Sequence, residues 1–210
     1  MGRYTGPKYK IQRRLATELP GLGKPGAVAK RPNPPGMVTR RRRKLSEYAL
    51  RLHEKQKLRF HYGLGERQLR RFIRMSKKGM AARSHPQGWP GHLIGILESR
   101  VDNVLFRAGW ARSIPAARQI VAHGHVYVNG KRLDIPSAVL KVGDTVKLSD
   151  KASKNIHVLT ARENPRLELP DFLQFTSGDK VEVELIAEPQ PGHIPFAFQL
   201  SYIAEIYAGI

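Results

Sequence analysis

The chain has 210 residues, 40% of them hydrophobic, enough for one or two modest cores. With 37 Lys and Arg against 17 Asp and Glu it carries a net charge of +20, a surface that repels itself unless a polyanion such as nucleic acid neutralises it. The absence of cysteine excludes a disulfide framework, a cysteine-ligated zinc and a thiol nucleophile, and no apolar run nears the ~18 residues of a membrane span.

The charge is segregated along the chain. Residues 1–97 hold 24 Lys and Arg against four Glu, residues 98–150 hold eight against five, and residues 151–210 hold five against eight. The whole excess therefore lies in the first 97 residues, which predicts a phosphate backbone as their partner.

Residues 1–44 read as an extension. Pro20, Pro25, Pro32, Pro34 and Pro35 interleave with Gly21, Gly23, Gly26 and Gly36, and apolar residues are few, so the segment is expected to stay disordered alone. It carries Arg3, Lys8, Lys10, Arg13 and Arg14 and ends in Arg40, Arg41, Arg42, Arg43 and Lys44, an arm suited to ordering inside folded RNA. Ser46 then caps a helix running to Gly63, with Arg51, Lys55 and Lys57 on it. A second helix is expected from Gly65 to Lys78. At 100° per residue Leu69, Phe72 and Ile73 share one stripe, while Arg67, Arg70, Arg71, Arg74 and Lys78 take the opposite face.

Residues 79–92, broken by Pro86, Gly88, Pro90 and Gly91, read as a linker. Beyond them Leu97, Val101, Val104, Leu105 and Ala108 make the apolar stripe of one helix, with Arg100, Asn103 and Arg107 on its polar flank and Gly109 at its end. Ser113 caps the next helix, with Pro115 in its first turn. Ile114, Ala117 and Val121 face inward there, Gln119 and His123 outward, and Arg118 lies at the edge. The strand His125 to Val128, the turn Asn129-Gly130 and the return Lys131-Arg132-Leu133 form a hairpin, and Thr145 to Leu148 is a further strand. In the acidic tail, 181–187 alternates as a strand with Glu182 and Glu184 on one face; this tail is expected to face away from RNA and pack on the helical region or a protein partner.

LESRVDNVLFR, the AARQIV helix, HVYVNGKRL and the late VGDTVKL strand together closely resemble the S-four-type RNA-binding domain. That module also occurs in pseudouridine synthases, tyrosyl-tRNA synthetases and heat-shock RNA-binding proteins, so by itself it identifies a module and not a function. The flanks are more specific: GRYTGPKYKIQRR at the start, PPG at 34–36 and SEYALRLHEKQKLRFHYGLGERQLRR at 46–71 resemble the family of the fourth small-subunit ribosomal protein. LPDFL at 169–173 matches as well, and Glu205-Ile206-Tyr207 resembles that family's short terminal strand. Some members hold zinc through four N-terminal cysteines; here RNA contacts are expected to order that region instead.

The resemblance implies an α+β fold. It would comprise a basic extension (1–44), a helical RNA-binding domain (45–92, completed by 190–210), an S-four-type domain of two short helices and a small antiparallel sheet (93–162), and a C-terminal segment with short strands (163–210). It further implies a structural constituent of the small ribosomal subunit, in a cytoplasmic or an organellar ribosome. Members bind small-subunit ribosomal RNA at a helical junction of its five-prime domain, nucleate assembly, touch the fifth small-subunit protein and influence decoding accuracy. From the module, Arg100, Asn103, Arg107, Arg112, Ser113, Arg118, Gln119, Lys131 and Arg132 join the N-terminal cations as candidate RNA contacts.

Three sharper readings are set against plainer ones. Arg132-Leu133-Asp134 has the letters of the pseudouridine synthase catalytic motif but falls inside the hairpin, so a strand end turning at Pro136 is expected and no enzyme. His123-Gly124-His125 has alternate spacing without an evident third ligand, so no metal is expected. Trp89, Trp110 and Tyr127 have rings able to stack on bases, but core packing is the expected role of at least two of them. No phosphate loop or nucleophile elbow is present, and no cofactor, membrane or small-molecule substrate is expected.

Overall fold

A computed structural model of the chain describes residues 4–37, 44–78, 85–176 and 178–208. Arg3, Arg40, Arg41, Arg42 and Arg43, and positions 79–84 of the expected linker, lie outside the described residues. The chain divides into two compact units, one of residues 1–93 with 194–210 and one of residues 94–193.

In the first unit Ser46 Oγ accepts the Ala49 N–H at 3.3 Å and starts α3 (Glu47–His61). Gln68 Oε1 takes the Gly65 N–H at 3.0 Å at the head of α4 (Glu66–Ser76). Leu69 and Ile73 are fully buried, as the periodicity predicts, and so is Leu58. The first 44 residues depart from expectation: they hold α1 (Lys8–Leu15) and α2 (Ala27–Lys30). Their few apolar residues are well placed, for Ile11, Leu15, Leu19 and Leu22 form one cluster against Phe60 and Phe196. The C-terminus also departs, because residues 200–206 form α10 (Leu200–Ile206), not a strand. Ile203 and Tyr207, one turn apart, are buried, and α10 packs on α3.

The expected linker ends in α5 (Gly88–Glu98), with Pro90 in the first turn, where a missing N–H costs nothing. The helix expected through Leu97 and Val101 breaks in two at Ser99-Arg100. There the backbone turns extended and pairs with the loop before β3: Val101 N–H donates to Ala138 O at 2.9 Å and Leu140 N–H to Ser99 O at 2.9 Å. The chain resumes as α6 (Val101–Arg107), packed on α7 (Ile114–Ala122).

The second unit's sheet comprises β1 (Val126–Val128), β2 (Lys131–Leu133), β3 (Thr145–Leu148), β4 (Leu173–Phe175) and β5 (Glu182–Leu185), antiparallel throughout in the order β2-β1-β3-β5-β4. Asn129 (φ 49°) and Gly130 (φ 76°) are both left-handed, as the two-residue hairpin turn requires. Val146 pairs Val183 and Val126 pairs Leu148, all buried. Residues beyond 162 thus complete this sheet, where the acidic tail was expected on the helical region or a partner; Glu182 and Glu184 alternate with buried Val183 and Leu185. Two short helices, α8 (Asp150–Ser153) and α9 (Ile156–Glu163), connect β3 to β4.

Candidate nucleic-acid interface

Helix α4 is the clearest basic face. Arg67, Arg70, Arg71, Arg74 and, just past its end, Lys78 are all exposed, opposite buried Leu69, Phe72 and Ile73. Glu66 anchors its first turn, accepting from Lys55 Nζ at 3.3 Å, Arg70 Nε at 3.4 Å and the Tyr207 hydroxyl at 3.2 Å. Burial works to raise the Glu66 carboxyl, but the Lys55 charge and the hydrogen bonds from Lys55, Tyr207 and Arg70 outweigh it and hold it below its ordinary value. Burial, with that carboxylate alongside, pushes the Tyr207 phenol well up.

Several other sequence candidates in this unit are spent on the protein itself. Lys57 is buried, paired with Glu54 at 2.7 Å and donating to the Ala197 carbonyl at 3.0 Å. Arg51 pairs with Glu47 and Glu205, and Arg13 donates to the carbonyls of Arg31, Asn33 and Pro34. Lys10, Arg14 and Lys44 are exposed and Lys8 is half-buried.

The polar flank expected of Arg100, Asn103 and Arg107 is corrected in the second unit: all three are buried, at 2%, 0% and 6% exposure. The break at Ser99-Arg100 and the loop paired to it enclose them. Arg100 makes a two-pronged contact with Asp102, Nε at 3.0 Å and Nη2 at 2.7 Å, and Arg118 Nε meets the same carboxylate at 2.7 Å. Glu98, also buried, accepts from Asn103 Nδ2 at 2.9 Å and lies 3.5 Å from Arg107 Nε, whose guanidinium also donates to His193 O at 2.7 Å. Four buried charges in two opposite pairs, Arg100 with Asp102 and Arg107 with Glu98, organise the module, and Arg118, a fifth charge on Asp102, reaches its edge, 26% exposed.

Arg112, Gln119, Lys131 and Arg132 are exposed, and Ser113 Oγ caps α7 by accepting the Ala116 N–H at 3.4 Å. Trp110 is fully buried. The sequence reading missed Glu98 and Asp102, whose role shows only once the helix break is known, and Asn155 and His157, which wall a cleft with Gln119 and His123. Among the described residues no group of three or more His, Cys, Asp or Glu is placed to hold a metal ion, and no helix is long and apolar enough to cross a membrane.

Residues 3–87 match the ribosomal protein S4/S9 N-terminal domain and residues 99–146 match the S4 domain. The fold and these matches define an RNA-binding ribosomal component. The chain is 49% identical over 203 residues to the small ribosomal subunit protein uS4B of Bdellovibrio bacteriovorus, covering 96% of this chain and 95% of that one. It is 41% identical over 209 residues to the small ribosomal subunit protein uS4 of Geobacillus stearothermophilus, covering 99% and 100%. It is 40% identical over 210 residues to its counterpart in Methylobacillus flagellatus, covering 99% and 98%. The chain belongs to the family of the fourth small-subunit ribosomal protein, a structural constituent and not an enzyme.

Proposed function

We propose that the chain is a primary binder of small-subunit ribosomal RNA in cytoplasmic ribosomes, engaging a helical junction of the five-prime domain and nucleating assembly of the subunit. The observation that carries this reading is the exposed row Arg67, Arg70, Arg71 and Arg74 on α4, held rigidly by the buried stripe beneath it. Cations on a preformed helix release counterions from phosphates without first ordering the backbone that carries them. Arg3, Lys8, Lys10, Arg14, Arg40, Arg41, Arg42, Arg43, Lys44 and Lys78 extend that footprint. The S-four-type domain adds Arg112, Ser113, Arg118, Gln119, Lys131 and Arg132, reading RNA by shape. Residues 45–92 with 190–210 act as the helical binding domain and 93–162 as the module, whose sheet the C-terminal segment 163–210 extends through β4 and β5. The fifth small-subunit protein is the expected neighbour, and through that contact the chain contributes to translational accuracy.

Hydroxyl-radical footprinting of small-subunit ribosomal RNA with the full chain tests this. Protections clustered at one junction of the five-prime domain are expected. Protections scattered along the RNA, or confined to another domain, would contradict the assignment.

A further inference from the structure

Ala116, Gln119 and Ile120 of α7, His123 just past its end, and Asn155, His157 and Val158 at the start of α9 wall a cleft of about 270 Å³. Trp110 also borders it; that ring is fully buried and its indole N–H already donates to the Lys180 carbonyl at 2.8 Å, so it backs the cleft and offers neither an open face nor a donor. The volume lies just below the roughly 300–1,000 Å³ of ordinary ligand pockets, room for one flat ring and not for a chain segment.

The rim is basic. Arg112, His123 and His157 are exposed on it, and the His123 and His125 rings lie 6.2 Å apart. Between those histidines Gly124 sits at φ +71°, and a Cβ added there would come 2.1 Å from Arg132 Nη2, so the Arg132 guanidinium lies directly against the histidine rim. Among the described residues no Asp or Glu lines the cleft. An apolar slot of one-ring size, edged by amide and imidazole groups and by the Arg112 guanidinium, with the Arg132 guanidinium nearby against Gly124, has the chemistry that single-stranded RNA recognition uses: a surface to stack on, donors and acceptors for a base edge, and cations for the phosphates.

We propose that this cleft receives one unstacked base of an RNA strand, with its flanking phosphates held by Arg112 and Arg132. The proposal rests on the RNA-binding reading above and deepens it, since it adds base-level contact to binding otherwise directed at the phosphate backbone.

Two full-length variants test it. Ala116→Phe fills the cleft from a half-exposed position without altering charge, and the double variant His123→Ala/His157→Ala removes two exposed rings from the rim. Binding to small-subunit ribosomal RNA is measured at several salt concentrations, with thermal unfolding of each variant compared with that of the parent. Each variant is expected to bind roughly 5- to 150-fold more weakly, the effect of removing one stacked base, with an unchanged slope of log affinity against log salt because every phosphate keeps its cation. Ultraviolet crosslinking followed by mass spectrometry is expected to attach a nucleotide to His123, His125 or His157. Parent-like affinity in both variants, a slope that falls with the affinity, or crosslinks confined to other parts of the chain would overturn the proposal. Should the parent itself show no preference for ribosomal over unrelated RNA, the ribosomal RNA reading falls; if that preference stands while the cleft variants bind like the parent, only the cleft proposal does.

Discussion

Asp102 is 1% exposed and accepts from two arginines, so its removal leaves Arg100 buried without its carboxylate. Breaking a buried pair from one side costs about 3–5 kcal/mol, far more than an exposed pair is worth. Asp102→Ala is therefore expected to lower unfolding stability by that amount in urea titrations of the full chain, whereas Arg70→Ala, whose partner Glu66 is one-third exposed, shifts it by less than about 1 kcal/mol. Equal effects would contradict the distinction. Gly124→Ala places a Cβ against Arg132 at a left-handed φ, and a loss of about 1 kcal/mol or more is expected, read as a lower melting temperature. At this scale the sequence was partly legible. Ser46, Ser113 and Asn129-Gly130 act locally, through a cap or a turn, and occupy the positions expected of them. Arg100 and Arg107 do not act locally: their environment depends on Ala138 and His193, dozens of residues away, which no local periodicity encodes.

Helix α4 joins α3 and the residue that ends α10 through one carboxylate, because Glu66 accepts from Lys55 and Tyr207 as well as from its own Arg70. Its folded-state pKa lies below its ordinary 4.5, so the unfolded chain takes up this proton first as the solution is acidified. The stability it lends is present in full above that ordinary value and is lost as pH falls through the lower, folded value. Glu66→Gln is expected to be less stable than the parent at neutral pH and to show a shallower loss of stability on acidification below pH 4.5, checked by urea titrations across that range. A parallel acid limb in both proteins would rule the linkage out. Elements formed by strong periodicity, α3, α4, α7 and β3, were readable in the sequence. The N-terminal helices were not, because Ile11, Leu15, Leu19 and Leu22 are too few to signal a core until Phe60 and Phe196 are packed against them. Tyr207 was expected in a strand on local preference; burial of Ile203 and Tyr207 against α3 selects the helical period instead.

Across the whole molecule the excess charge sits in residues 1–97, and its most regular part is the exposed face of α4. The face was legible because a helix separates buried from exposed positions every turn, and the family was legible because its motifs lie in these helices and in the hairpin. Replacing Arg67, Arg71 and Arg74 together with Glu is expected to weaken RNA binding uniformly and to reduce the salt slope by about 3, one unit for each phosphate no longer neutralised. An unchanged slope would remove α4 from the interface.

The most direct test of the central claim is binding of the full chain to small-subunit ribosomal RNA, against excess unrelated RNA, over a salt series. A ribosomal RNA binder holds its target through the competition and loses roughly 10³–10⁵-fold in affinity between 50 and 200 mM salt, as about 6–10 phosphate contacts require. Equal binding to every RNA would leave only a generic basic protein and would contradict the account.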